Sequence, residues 1–137
     1  MNYKPESMIK RILQISSILL ISVVLLAACA TKPAVGELII SVSDAYQLYE
    51  DDVFMLDVRT PEEYQDGHIP GSTLIPVDQL SARYGELPLD ETIVVYCRSG
   101  NRSLDAVYFL ETIGFKRVHS MDRGINNWIR NGYEVEK

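Results

Sequence analysis

The chain has 137 residues, 13 Lys and Arg against 19 Asp and Glu, a net charge of −6, and two cysteines, Cys29 and Cys97. Its acidic balance excludes the ordinary nucleic-acid binder, which needs a basic face to replace the counterions of the phosphates. The length beyond the first 28 residues is one domain's worth, enough for a single core without staples.

Lys4, Lys10 and Arg11 form a positive N-terminal region, and residues 12–28 are a run of 17 uncharged, mostly apolar residues. Together they predict an export signal. The run is short for a membrane span and ends in small residues, which favours a processed signal over a retained anchor helix. Leu26-Ala27-Ala28-Cys29 resembles the bacterial lipobox, and that resemblance implies that Cys29 becomes the lipidated first residue of the mature protein. Either reading tethers the chain outside the cytoplasmic membrane, in the cell envelope, and two or more acyl chains suffice for stable attachment. Loss of residues 1–28 removes three cations and one anion, leaving 109 residues with 10 positive and 18 negative charges, a net of −8.

Residues 31–37, with Pro33 and Gly36, read as a tether. The expected organisation is therefore a signal at 1–28, a lipidated N-terminus and tether at 29–37, and one domain at 38–137. Ser43 or Asp44 can cap a first helix that runs to about Tyr49. Residues 53–56 form a buried strand ending at Asp57, and Thr60-Pro61-Glu62-Glu63 opens a helix, with Pro at the first helical position and acids in the first turn. Residues 67–71 are a turn, 73–75 a short strand, 78–84 a helix and 87–90 a loop. Residues 93–96 are the second strongly apolar strand. Residues 103–113 are the clearest helix, with Leu104, Val107 and Tyr108 along one side, Ala106, Leu110 and Ile113 along another, and Gly114 placed to end it. Residues 116–119 are a last strand and 124–131 a last helix carrying Trp128. Strands alternate with helices throughout, which predicts an α/β fold with a mostly parallel central sheet flanked by helices on both faces.

With Cys29 taken up by lipid, Cys97 has no partner, and a lone thiol in an oxidising envelope is either reactive or an inert core filler. Its neighbours favour reactivity. Ligands of an open parallel sheet collect beyond the carboxyl ends of the strands, where Cys97 follows one strand and Asp57-Val58-Arg59 the other. The free N–H groups and the dipole of the following helix stabilise a thiolate, and Arg98, Arg102 and Arg59 add positive charge. Gly100 and Asn101 tolerate left-handed backbone, so the loop can curl and aim several N–H groups at its centre. A loop of this kind is an anion cradle with a nucleophile at its base.

The stretches DVRTPEEYQDGHIPGS at 57–72, VVYCRSGNRS at 94–103 and GINNWIRNGYEVE at 124–136, in this order and spacing, resemble the single-domain rhodanese family over residues 38–137. The resemblance implies a small α/β domain and a sulfur transfer that needs no cofactor and no metal. In it, Cys97 takes a sulfane sulfur from a small anionic donor such as thiosulfate, becomes a persulfide, and passes the sulfur to a thiol or cyanide-like acceptor. That chemistry calls for a thiolate without a partner cysteine, which would resolve the persulfide into a disulfide.

By the same resemblance, the backbone N–H groups of Arg98, Ser99, Gly100, Asn101, Arg102 and Ser103 stabilise the thiolate and the outer persulfide sulfur, as an oxyanion hole does for oxygen. Arg98 helps bind the donor. Arg102 closes the loop, either neutralising the leaving sulfite or bracing the loop through a carboxylate. Asp57 and Arg59 support the loop; the simpler alternative is a surface salt bridge plus a helix cap. His68 lies in a turn motif that the family uses structurally and stays outside the site, and Trp128 and the tyrosines read as packing. Two other functions fit the same loop, a cysteine-dependent phosphatase and a non-catalytic anion or redox sensor. Four residues separate Cys97 from Arg102, against five in the phosphatase pattern, so this cradle is the smaller. Where many relatives of the family carry paired glycines before the last helix, this chain has Arg123-Gly124.

Overall fold

The computed structural model describes residues 38–137; the expected signal, the lipidation of Cys29 and the tether lie outside the described residues. In chain order the elements are β1 (Ile39–Ile40), α1 (Val42–Glu50), β2 (Phe54–Asp57), α2 (Pro61–Asp66), β3 (Thr73–Leu74), α3 (Leu80–Arg83), a 3-10 turn (Tyr84–Glu86), β4 (Ile93–Tyr96), α4 (Asn101–Thr112), β5 (Val118–Met121) and α5 (Gly124–Arg130). The five strands make one sheet in the order β1-β5-β4-β2-β3, and every pairing between them is parallel. The expected α/β architecture is thus present, with a sheet that is parallel throughout these strands.

The central position of β4 follows from its sequence. Ile93, Val94, Val95 and Tyr96 are all fully buried, and a strand that is apolar on both faces needs cover on both. Period-two alternation then divides the core. Ile93, Val95 and Cys97 point to one face, where Ala106, Val107 and Leu110 of α4 meet Leu56, Val58, Leu80 and Val118. Val94 and Tyr96 point to the other, where Val42 and Ala45 of α1 and Ile125 and Trp128 of α5 pack with Met55, Ile69 and Met121. Cys97 therefore belongs by parity to the α4 side of the sheet.

Several expected boundaries move, each for a local reason. The first helix begins at Val42, because the Ser41 hydroxyl, not Ser43 or Asp44, accepts from the Asp44 N–H, at 3.1 Å. β1, which sequence patterning did not resolve, precedes it: two residues are too short to display an alternation. The helix expected at 78–84 is displaced by two residues and divided into α3 and the following 3-10 turn. The last strand starts two residues late, at Val118, since Lys116 and Arg117 are exposed while Phe115 is buried. On α4 the buried face is Ser103, Ala106, Val107 and Leu110, so Tyr108 and Ile113 are left exposed, contrary to the expected apolar stripes.

Trp128 is the largest fully buried side chain. It lies edge-on to Tyr49 at 5.4 Å and to Tyr133 at 5.0 Å, and its Nε1–H donates to the Glu134 carbonyl at 2.8 Å. The indole thus ties α5 to α1 and anchors the C-terminal segment. Trp128→Ala is expected to cost about 3–5 kcal/mol in urea denaturation. A loss below about 1 kcal/mol would show that the neighbouring rings collapse into the space.

Candidate active site

Cys97 leaves the end of β4, and the chain must turn into α4 within three residues, Arg98, Ser99 and Gly100. Gly100 makes this turn with φ 101°, a conformation that side chains rarely adopt. Space imposes the same choice, because a Cβ there would lie 3.2 Å from the Arg123 nitrogen. The Gly100 N–H consequently points back and donates to the Cys97 sulfur at 3.1 Å. α4 starts at Asn101, not at Ser103 as expected, so the last three residues of the sequence-assigned loop are the first turn of the helix.

The other side of the loop is held by α5. The N–H groups of Ile125 and Asn126 donate to the carbonyls of Cys97 and Arg98, at 2.8 and 3.2 Å. This close approach requires Gly124, at φ 56°, where a Cβ would be built onto the Cys97 carbonyl oxygen. Arg123, beside it, sits in the left-handed region at φ 56°, which costs a residue with a side chain about 1–2 kcal/mol.

The Cys97 residue is only 1% exposed. Burial alone pushes the thiol up, but hydrogen bonds from the Ser103 backbone and hydroxyl and from the Gly100 and Ser99 amides outweigh it, and the net effect lowers the thiol below its ordinary value. Of the amides expected to converge, those of Ser99, Gly100 and Ser103 therefore act on the sulfur. Arg98 is exposed. Arg102 feels the sulfur, since the Cys97 charge helps to raise the guanidinium further, after the larger effect of Glu63.

The Arg102 guanidinium is held by a carboxylate, that of Glu63. Nη1 donates to Glu63 Oε2 at 2.7 Å and Nη2 to Oε1 at 2.8 Å, a two-pronged pair that ties α2 to α4. Glu63 was visible in the sequence only as a helix-start acid. In that role its Oε2 also accepts from the Thr60 N–H at 3.1 Å, while the Thr60 Oγ1 accepts from the Glu63 N–H at 3.3 Å. The capping box thus orients the carboxylate that Arg102 grips.

Asp57 and Arg59 form a buried pair, 0% and 5% exposed, not a surface salt bridge. Arg59 Nη2 donates to Asp57 Oδ2 at 2.6 Å and to the Gly67 carbonyl at 2.8 Å. The pair acts on the turn from β2 to Gly67, and it faces the end of β4 through the Tyr96 ring, 5.6 Å from the guanidinium, while the Arg59 charge also lowers the Glu63 carboxyl. With its charge matched by Asp57, Arg59 is not the nearby free cation that the sequence suggested. His68 stacks on Tyr64 at 3.6 Å and lies near Glu136, which agrees with a structural place outside the site. A cavity of about 550 Å³ lined by Tyr49, Val53, Phe54 and Pro70 opens at the amino end of β2, away from the sulfur.

The Arg102 grip holds the Glu63 carboxyl at about 2, against an ordinary 4.5. A carboxyl lowered on folding contributes stability above its ordinary range and loses it as pH falls toward the folded value. The brace is thus expected to be complete above about pH 4.5 and to fade toward pH 2. Glu63→Gln should lower the thermal midpoint at pH 7 and flatten its dependence between pH 5 and 3. An unchanged slope in that window would place the acid sensitivity on other carboxylates.

The family model described as the Rhodanese-like domain matches residues 41–131. A sulfurtransferase of Allochromatium vinosum is 39% identical over 85 residues, 62% of this chain and 79% of the relative. The thiosulfate sulfurtransferase GlpE of Pseudoalteromonas translucida is 36% identical over 90 residues, 65% of this chain and 86% of the relative. Among solved structures, a rhodanese-related protein of Thermoplasma volcanium superposes with a TM-score of 0.67 at 36% identity, covering 71% of this chain and 95% of that one. A five-stranded parallel sheet, a cysteine loop at its carboxyl edge and relatives that are sulfurtransferases converge: the chain belongs to the rhodanese-like domain family.

Proposed function

We propose that this domain is a sulfurtransferase that carries a sulfane sulfur on Cys97. The observation that carries the reading is the donation from the Gly100 N–H to Sγ at 3.1 Å, in a loop where amide and hydroxyl donors outweigh the burial of the thiol. In the first half-reaction the Cys97 thiolate attacks the outer sulfur of thiosulfate. The new S–S bond forms as the thiosulfate S–S bond breaks, and sulfite leaves with the electron pair. In the second, an acceptor nucleophile such as cyanide or a thiolate attacks the terminal sulfur of the persulfide. The Cys97 S–S bond breaks and its electron pair restores the thiolate. The loop amides serve both forms, because the persulfide is an anion displaced outward by one bond along the same donors.

Arg98, exposed and next to Cys97 in the chain, is proposed to attract the anionic donor. Arg102 is engaged by Glu63, which favours a bracing role over direct neutralisation of sulfite. The tight enclosure of Cys97 and the four-residue spacing to Arg102 favour a slim sulfur donor over a phosphate ester.

The reading is tested by incubating the full-length protein with thiosulfate, measuring intact mass, and assaying thiocyanate formed from cyanide. One added sulfur and steady thiocyanate production are expected for the native chain, and neither for Cys97→Ser. Unchanged thiocyanate formation in Cys97→Ser would remove the nucleophile assignment. Hydrolysis of an aryl phosphate would support the phosphatase instead, and anion binding without either activity would support a sensor.

The location is proposed from the N-terminal sequence alone: a signal at 1–28 and lipidation of Cys29 would hold the domain at the envelope membrane. Metabolic labelling with a palmitate analogue should mark the native chain and leave Cys29→Ser unlabelled. Label retained in Cys29→Ser, or a native chain still carrying Met1, would defeat the lipoprotein reading.

A further inference from the structure

Beneath the cysteine loop lies a pair of serine hydroxyls; the resemblance gives a role to the Ser103 backbone N–H but none to either hydroxyl. Ser103, in the first turn of α4, and Ser120, on β5, are 0% and 1% exposed. Their hydroxyls are 2.8 Å apart. The Ser103 Oγ is also 3.0 Å from the Gly100 carbonyl oxygen and 3.6 Å from the Cys97 sulfur. Register explains the meeting: Val95 pairs with Ser120 across β4 and β5, so Ser120 projects to the same face as Val95 and Cys97.

A hydroxyl carries one hydrogen, and the Ser103 hydroxyl has three places to put it: the Gly100 carbonyl, the Ser120 oxygen and the sulfur. With Cys97 as a thiol, the S–H donates to Ser103 and the Ser103 hydrogen rests on the Gly100 carbonyl. Once the thiol loses its proton, the sulfur can only accept. The Ser103 hydrogen is then free to turn from the Gly100 carbonyl to the sulfur, and the Ser103 oxygen, which no longer accepts from the S–H, is open to a donor. Ser120 is the hydroxyl placed to fill it. A Ser120 that donates to Ser103 no longer competes for the Ser103 hydrogen, and it polarises that hydroxyl toward the sulfur.

We propose that Ser120 is a positioning residue for Cys97: from β5, through Ser103, it orients a hydroxyl donor onto the thiolate and so sets the acidity of the nucleophile.

The surrounding charges do not substitute for this chain of hydroxyls. On α4, the Arg102 guanidinium faces the sulfur but is held by Glu63 from α2. On β5, His119 is one residue out of phase and projects from the opposite face of the sheet. On β2 and just past it, Leu56 and Val58 pack on the Cys97 side, while Asp57 and Arg59 are paired with each other. Arg98 in the loop and Arg123 before α5 are exposed to solvent.

The inference rests on Cys97 acting as a thiolate, and its test needs no sulfur donor. The rate of Cys97 alkylation by iodoacetamide is followed against pH in the full-length protein, with the modified peptide read by mass. Ser120→Ala is expected to move the midpoint upward by about 0.5–1 pH unit, the equivalent of one ordinary hydrogen bond between neutral groups. Ser103→Ala should move it at least as far, and Ser120→Ala added to Ser103→Ala should move it no further. If Ser120→Ala fails to fold, Ser120→Thr against Ser120→Val repeats the comparison, alike in shape and differing in the hydroxyl. A midpoint that ignores the hydroxyl at position 120, or a full shift that persists without the Ser103 hydroxyl, would overturn the proposal. Either result leaves the thiocyanate assay of Cys97→Ser intact, and absence of sulfur transfer would in turn leave this titration interpretable.

Discussion

The site depends on which way the peptide groups of the 97–100 turn face. A turn that leaves a parallel strand can present either its carbonyls or its N–H groups to the side chain at its start. Here the carbonyls of Cys97 and Arg98 are taken by the Ile125 and Asn126 N–H groups of α5, which commits them to that side of the loop. The Gly100 N–H is left facing the sulfur. Two glycines make the arrangement possible: Gly100 supplies the left-handed turn, and Gly124 lets α5 approach without a Cβ in the way. An anionic sulfur enclosed this closely would be costly without donors. The oriented amides offset that cost, so the loop geometry and the thiol's acidity are one property seen twice.

Around the loop, two ion pairs have different work. Asp57–Arg59 is enclosed, and its guanidinium also takes the Gly67 carbonyl, so it closes the β2 turn upon itself. Removing one partner of such a pair strands a buried charge, which is typically worse than removing both. Glu63–Arg102 is half-exposed and joins elements that are 39 residues apart in sequence. Its value lies in geometry more than in Coulomb energy, because a two-pronged guanidinium–carboxylate contact fixes angle as well as distance. α4 carries Arg102 and Ser103 side by side, one gripping Glu63 and the other beneath the sulfur, so the brace and the cradle turn together.

The same sheet that supports the loop also separates it from the rest of the molecule. Parity assigns Cys97, Val95 and Ser120 to the α4 face, and Val94, Tyr96 and Met121 to the face with the Trp128 cluster. One side is packed by rings on α1, α5 and the C-terminal segment, and the α4 side by mostly aliphatic chains with Phe115, and with the serine pair beneath the sulfur. Because α5 belongs to the aromatic face yet donates to the loop carbonyls, it carries the packing of one face to the chemistry of the other.

How far the sequence reached follows from the range of each interaction. The two apolar strands, the Thr60 cap and the cysteine turn were legible because each is written within a few residues: a hydrophobic run, a capping spacing, a glycine at a bend. β1 was not, since two residues hold no period. Glu63 could be read as a helix-start acid but not as the partner of Arg102, and Ser120 carried no signal, because nothing local distinguishes a serine in a strand from one beneath a sulfur. The charge assigned to Arg59 near the thiol was absorbed by Asp57, a pairing of neighbours whose burial the chain alone does not reveal. What the sequence by itself determined was the type and order of elements, and the single cysteine at the carboxyl edge of the sheet. Only the tertiary structure decided which amides, which carboxylate and which hydroxyls converge there, because that depends on strand register and helix approach across segments distant in the chain.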